Sequence, residues 1–222
     1  MTQLAFEFPH RPAFGAEDFL VAPSNEEAIA WLDRWPDWPL PALILHGPPG
    51  CGKTHLVHVW QARSGAAINR PEALTVAAVP TVAAAASALA VDGADQATER
   101  ALLHLVNLAA ERRLQLLLTA SDAPQAWAKL PDLRSRLLAM PAVAVRPPDD
   151  ALIAAVLLKL FADRQLAVGE EVVAYLLLRM ERSFAAARRT VAALDQAALA
   201  AQRRVTVALA RQVLDGSEGG GG

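Results

Sequence analysis

The stretch Gly47-Pro48-Pro49-Gly50-Cys51-Gly52-Lys53-Thr54 fits the phosphate-loop pattern G-x-x-x-x-G-K-[ST] at every fixed position. The apolar run Ala42-Leu43-Ile44-Leu45 precedes it, and a helix predicted from Thr54 to Gln61 follows. That strand, loop and helix sequence is the context the pattern requires. The glycines let backbone N–H groups turn inward around phosphate oxygens, and the helix N-terminus adds a favourable partial charge. In such a loop Lys53 reaches the β- and γ-phosphates, and the Thr54 hydroxyl ligates Mg²⁺. The alternative is a Gly/Pro turn that fits the pattern by accident.

Around the loop, short apolar runs alternate with helical patterns. Ala66-Ala67-Ile68 is a weak second strand, Ser87 to Val91 a third, Leu114 to Thr119 a fourth and Ala142 to Val145 a fifth. An amphipathic helix is predicted over 97–111. This alternation predicts an α/β domain whose five-stranded parallel sheet is buried on both faces. Ligands of such sheets sit at the carboxyl ends of the strands, where Gly47, Asp92 and Asp122 all fall. Ahead of the first strand, Ser24-Asn25-Glu26-Glu27 reads as a capping box with Ser24 at the N-cap. Ala28, Trp31, Leu32 and Trp35 follow at helical spacing. After Pro147-Pro148-Asp149-Asp150 only helical patterns remain, at about 150–162, 170–180, 183–201 and 206–214. The expected organisation is therefore an N-terminal arm over 1–12, an α/β domain over 13–148, a small all-α domain over 149–214 and a flexible Gly-rich tail over 215–222.

The bulk numbers exclude several function classes. Of 222 residues, 54% are hydrophobic, enough for a sizeable core, and the net charge of −2 offers no basic field for duplex DNA or an anionic membrane. The single cysteine, Cys51, excludes an internal disulfide and a Cys-rich metal site, which points to a reducing, cytoplasmic home. No secretory signal and no membrane-spanning stretch are legible, so no membrane partner is expected. The five histidines show no metal-ligand spacing.

Asp92 closes the third strand and is the natural Mg²⁺ partner of Thr54, or else the start of an ordinary turn. The next position, where many ATPases place an acid that orients the attacking water, is Gly93. Asp95 stands in for that acid only if the turn folds back, so intrinsic hydrolysis is expected to be slow. Asp122 either senses a γ-phosphate or caps the helix that starts near Pro124. Arg134 and Arg136 offer an arginine finger to a neighbour's nucleotide or a solvated basic face, and Arg188 and Arg189 either close over phosphates or face solvent. In an extended arm, Gln3 followed by Leu4, Phe6 and Phe8 either docks into a partner's groove or adds an edge strand.

Together these residues resemble the AAA+ family. The phosphate loop, Asp92, Asp122, Arg136 and Arg188 stand in that family's order for Walker A, Walker B, sensor 1, arginine finger and sensor 2. Within it, Phe19 to Asn25, Ser121-Asp122-Ala123-Pro124, Leu133-Arg134-Ser135-Arg136-Leu137 and the segment from Ala193 to Val207 look like the DnaA-related group, and most like its short Hda branch. The resemblance implies an AAA+ P-loop domain with a helical lid, ADP or ATP as ligand, and Mg²⁺. The arm at Gln3, Leu4, Phe6 and Phe8 is similar to the motif by which that branch binds the DNA polymerase III sliding clamp (its beta subunit). Implied partners are the clamp, DnaA and, through the clamp, DNA; a homodimer is compatible with the pattern. The implied role is to present Arg136 to ATP-loaded DnaA, trigger hydrolysis there and inhibit re-initiation. The alternatives are an independent AAA+ ATPase, such as a remodeller or helicase loader, and a small-molecule phosphotransferase, for which the Ala/Leu/Arg-rich lid offers no general base.

Overall fold

The computed structural model describes residues 20–218, which divide into two compact units, 20–146 and 147–218. The first is a parallel five-stranded sheet in the order β2-β3-β4-β1-β5, with β1 at Ala42–His46, β2 at Ala67–Asn69, β3 at Ala88–Val91, β4 at Gln115–Ala120 and β5 at Ala142–Ala144. Helices α1 (Glu26–Asp33), α2 (Lys53–Ser64), α3 (Val79–Ala84), α4 (Glu99–Arg112), α5 (Pro124–Trp127) and α6 (Pro131–Leu138) connect and cover it. The strand count and the parallel pairing match the α/β expectation.

Both faces of the sheet are buried, and the alternation of strand side chains shows how. Ile44, Leu89, Val91, Leu116 and Leu118 enter one core with α3, α4 and α6, while Leu43, Leu45, Ala90 and Leu117 enter the opposite core with α1 and α2. Successive residues of β1, β3 and β4 therefore serve different cores, which is why these strands read as unbroken apolar runs. At about 2 kcal/mol per buried Leu, these central strands hold the sheet. The β1–β4 register pairs His46 with Ala120, so these two strands end at one level, while β3–β4 pairs Val91 with Leu118, so β3 ends two residues earlier and Asp92 follows beside Thr119.

Three local readings are corrected. Ser24 does not cap α1: the N-cap position is Asn25, whose side chain is turned back to accept the Ala22 N–H and donate to the Leu20 carbonyl. The Ser24 carbonyl accepts the Arg146 N–H, so that residue ties the chain to the end of the sheet domain. Trp35 lies past the end of α1 and still packs, edge to face, on Trp60 of α2 at 6.3 Å. Asp122 does not cap the following helix: α5 has Ala123 at its N-cap, with no side-chain cap bond.

The second unit consists of α7 (Asp150–Asp163), α8 (Glu170–Arg179), α9 (Phe184–Ala201) and α10 (Val207–Glu218). Asp149 caps α7 by accepting the Leu152 N–H at 2.8 Å, and Ser183 caps α9 by accepting the Ala186 N–H at 3.1 Å. Ala187, Val191, Leu194 and Ala198 make the buried stripe of α9, meeting Ile153, Leu157, Phe161, Val172 and Leu176. Helix α10 runs on through Gly216, past the predicted end at 214 into the expected tail, because extending an existing helix adds a hydrogen bond per residue. The expected arm over 1–12, with Gln3, Leu4, Phe6 and Phe8, lies outside the described residues. Among the described residues no helix is long and apolar enough to cross a membrane.

Candidate functional site

The site is built where β1, β3 and β4 end. From His46 the chain turns sharply: the Gly47 N–H donates to the Ala120 carbonyl at 3.2 Å, and a Cβ on Gly47 would run into the backbone oxygen of Val145. Gly50 and Gly52 follow with φ of +78° and +105°, the left-handed conformation that glycine adopts without strain. Cys51 between them is buried in the core beneath the loop, which pins the loop from below. Helix α2 then starts at Lys53, so the N–H groups of Lys53 and Thr54 have no acceptor within the helix, while Leu56 already bonds to Gly52. These outward N–H groups and the helix dipole form an anion cradle. The Lys53 ammonium is held over the same loop, donating to the carbonyls of Gly47 at 2.6 Å and Pro48 at 3.0 Å.

The Thr54 hydroxyl donates to Asp92 Oδ2 at 2.8 Å, which brings together two residues far apart in sequence. Among the described residues no group of three or more His, Cys, Asp or Glu is placed to hold a metal by protein ligands alone. A cation at Thr54 and Asp92 would therefore complete its shell with phosphate and water oxygens, as Mg²⁺ does at nucleotide sites. The cradle, the ammonium and this hydroxyl–carboxylate pair fit a magnesium nucleotide, and bound Mg²⁺ would neutralise phosphate charge there.

Two residues at this corner escape sequence reading. Thr119, fully buried near the end of β4, donates to Asp92 Oδ1 at 2.7 Å and accepts the Gly93 N–H at 2.8 Å. In the sequence it is one polar residue in an apolar run; only the β3–β4 register shows its partner. His46 is the other. Its pKa is lowered from the ordinary histidine value by partial burial, with the Asp122 carboxylate opposing the shift and Lys53 adding to it. Asp122 thus stands within electrostatic reach of the loop, with its side chain exposed and its backbone carbonyl accepting the Trp127 indole N–H at 3.1 Å. Gly93 has φ +95°, and the chain does fold back after it, but Asp95 Oδ2 is spent accepting the Ser121 N–H at 2.9 Å.

Arg136 and Arg134 lie elsewhere, on exposed positions of α6. The helix itself is anchored: Leu133 and Leu137 are buried, and the Glu99 carboxylate of α4 accepts the N–H groups of Lys129 and Leu130 at 2.9 and 2.5 Å. The Arg136 guanidinium has no hydrogen bond or ion pair among the described residues and rims a surface cleft of about 410 Å³ with Asn107, Asp132 and Ser135. Arg188 sits on the exposed side of α9 in the helical unit, beside Arg189, which pairs with Glu181 at 3.8 Å.

Comparison with known proteins places this arrangement. Domain III of the replication initiation protein DnaA from Thermotoga maritima superimposes with a TM-score of 0.76 at 18% identity, covering 93% of this chain and 97% of that one. Residues 150–214 match the family model described as the Hda lid domain. The helical segment is thus an Hda-type lid, and the chain shares the fold of DnaA domain III. The same fold extends more widely: the Holliday junction branch migration motor RuvB of Thermotoga maritima matches with a TM-score of 0.73 at 14% identity, over 92% of this chain and 72% of its own. A DnaA bound to AMPPCP and single-stranded DNA matches with a TM-score of 0.67 at 18% identity over 82% of this chain, which spans 64% of that protein. No match was found among curated protein sequences.

Proposed function

We propose that this protein is an AAA+ nucleotide-bound regulator that docks on the DNA polymerase III sliding clamp and stimulates ATP hydrolysis by DnaA, inhibiting re-initiation of chromosome replication. The observation that carries the reading is Arg136. A guanidinium on an anchored helix, exposed and without a partner in its own unit, is suited to reach a phosphate held by another protein. The Hda-type lid over 150–214 supports DnaA as that protein. In this reading ADP or ATP lies on the loop from Gly47 to Thr54, with Lys53 on the phosphates, Thr54 and Asp92 at Mg²⁺, Asp122 as sensor 1 and Arg188 as sensor 2. Gln3, Leu4, Phe6 and Phe8 make the clamp contact, DNA is met through the clamp, and the protein works in the cytoplasm.

Intrinsic turnover is expected to be weak, because Gly93 carries no acid and the Asp95 carboxylate holds the Ser121 N–H with one oxygen and buries the other. The test is single-turnover hydrolysis of labelled ATP pre-bound to DnaA, with this protein added with and without DNA-loaded clamp. Acceleration only when both are present supports the regulator. No acceleration, together with ATP turnover by this protein alone, replaces it with the independent ATPase.

A further inference from the structure

We infer that Thr119 is the positioning residue for the Asp92 carboxylate, so that a side chain inside β4 sets the magnesium dependence of nucleotide binding. The inference rests on the reading of this corner as a nucleotide site.

Hydroxyl bookkeeping fixes the arrangement. A threonine hydroxyl has one proton to give and lone pairs to accept with. Thr119 accepts the Gly93 N–H at 2.8 Å, and its proton goes to Asp92 Oδ1 at 2.7 Å. Both contacts are short, Thr119 is fully buried, and neither partner can exchange it for water without opening the β3–β4 junction. One carboxylate oxygen is thereby occupied from the β4 side. The other, Oδ2, is left facing the phosphate-loop helix, where it accepts the Thr54 proton at 2.8 Å. With its proton held by Asp92, the Thr54 oxygen keeps a lone pair for a cation. The chain Gly93 to Thr119 to Asp92 to Thr54 thus orients a metal-binding hydroxyl from two residues away, and groups that orient metal ligands govern metal affinity about as strongly as many ligands do.

Gly93 belongs to the same device. Its N–H is the donor to Thr119, and its φ of +95° turns the following chain back, delivering Asp95 to the Ser121 N–H at 2.9 Å. Position 93 therefore serves through its backbone N–H.

The experiment is equilibrium binding of a fluorescent ADP analogue to the full-length chain, titrated with Mg²⁺ and repeated in EDTA. Thr119→Val keeps the shape and removes the proton. It is expected to move the Mg²⁺ midpoint up by about 10-fold or more, within the range usual for groups that orient metal ligands, and to leave affinity in EDTA within about twofold. Thr119→Ser is expected to restore the wild-type midpoint. Should the valine variant not fold, Thr119→Cys fills the same space, donates weakly and is expected to shift the midpoint in the same direction. An unchanged midpoint in Thr119→Val, or equal losses with and without Mg²⁺, overturns the inference while leaving the nucleotide site standing. Failure of the wild-type chain to bind the analogue at all overturns the nucleotide reading, and the inference with it.

Discussion

The phosphate-loop corner and helix α6 both present charged groups, and they hold them in opposite ways. At the corner the groups around the loop are tied: Lys53 to two loop carbonyls, Asp92 to Thr54 and Thr119, and one oxygen of Asp95 to Ser121. On α6 the backbone is anchored by Glu99, Leu133 and Leu137, yet Arg136 itself is untied. A group that serves the chain's own ligand gains from being preorganised, because its ordering entropy is spent on folding rather than on binding. A group meant for another protein's phosphate gains from reach, and an internal partner would have to be broken before it could act.

The sharpest way to break this comparison is Arg136→Ala. It should lower stimulation of DnaA hydrolysis by about a thousandfold and leave nucleotide affinity and unfolding free energy within about 0.5 kcal/mol. Single-turnover assays and urea titration read the two separately, and a large stability loss would show that Arg136 is tied after all. Next in size is Gly47→Ala. Its Cβ meets the Val145 backbone oxygen, which cannot rotate away, so about 3 kcal/mol of destabilisation is expected in urea.

Gly93→Glu, which restores an acid in the usual place, should not create an efficient ATPase. The left-handed backbone should cost about 1–2 kcal/mol, and Gly93→Asn, a residue that tolerates this conformation, should cost less. ATP turnover and urea midpoints on both variants check it; robust hydrolysis by the glutamate variant would show that the corner is less fixed than its hydrogen bonds imply.

The smallest effect is at His46, whose folded pKa lies below its unfolded value. The unfolded chain then binds more protons at mildly acidic pH, so stability is full above about pH 6.5 and falls as pH drops below it. His46→Gln should flatten that limb of the urea midpoint against pH.

Much of this was legible in advance because the signals are local. The loop from Gly47 to Thr54 is eight adjacent residues whose types dictate their own backbone, and the strands announce themselves as short apolar runs feeding two cores. The capping pattern at Ser24 misled because the helix begins one residue later, with Asn25 at the N-cap and its side chain engaged by Ala22 and Leu20. Helix α6 was readable only as a basic stretch; that Glu99 holds its start depends on a contact 31 residues distant in the chain.

By itself, then, the sequence determined the parallel α/β layering, the helical second unit and the phosphate loop, since periodicity and glycine placement act over a few residues. The tertiary structure decided what Asp92 does. Its two oxygens are claimed by Thr54, 38 residues away, and Thr119, 27 residues away, and only the strand order β3-β4-β1 brings those hydroxyls to one carboxylate. Hydrogen bonds are fixed by distances of about 3 Å, and such distances between remote residues exist only once the sheet has formed.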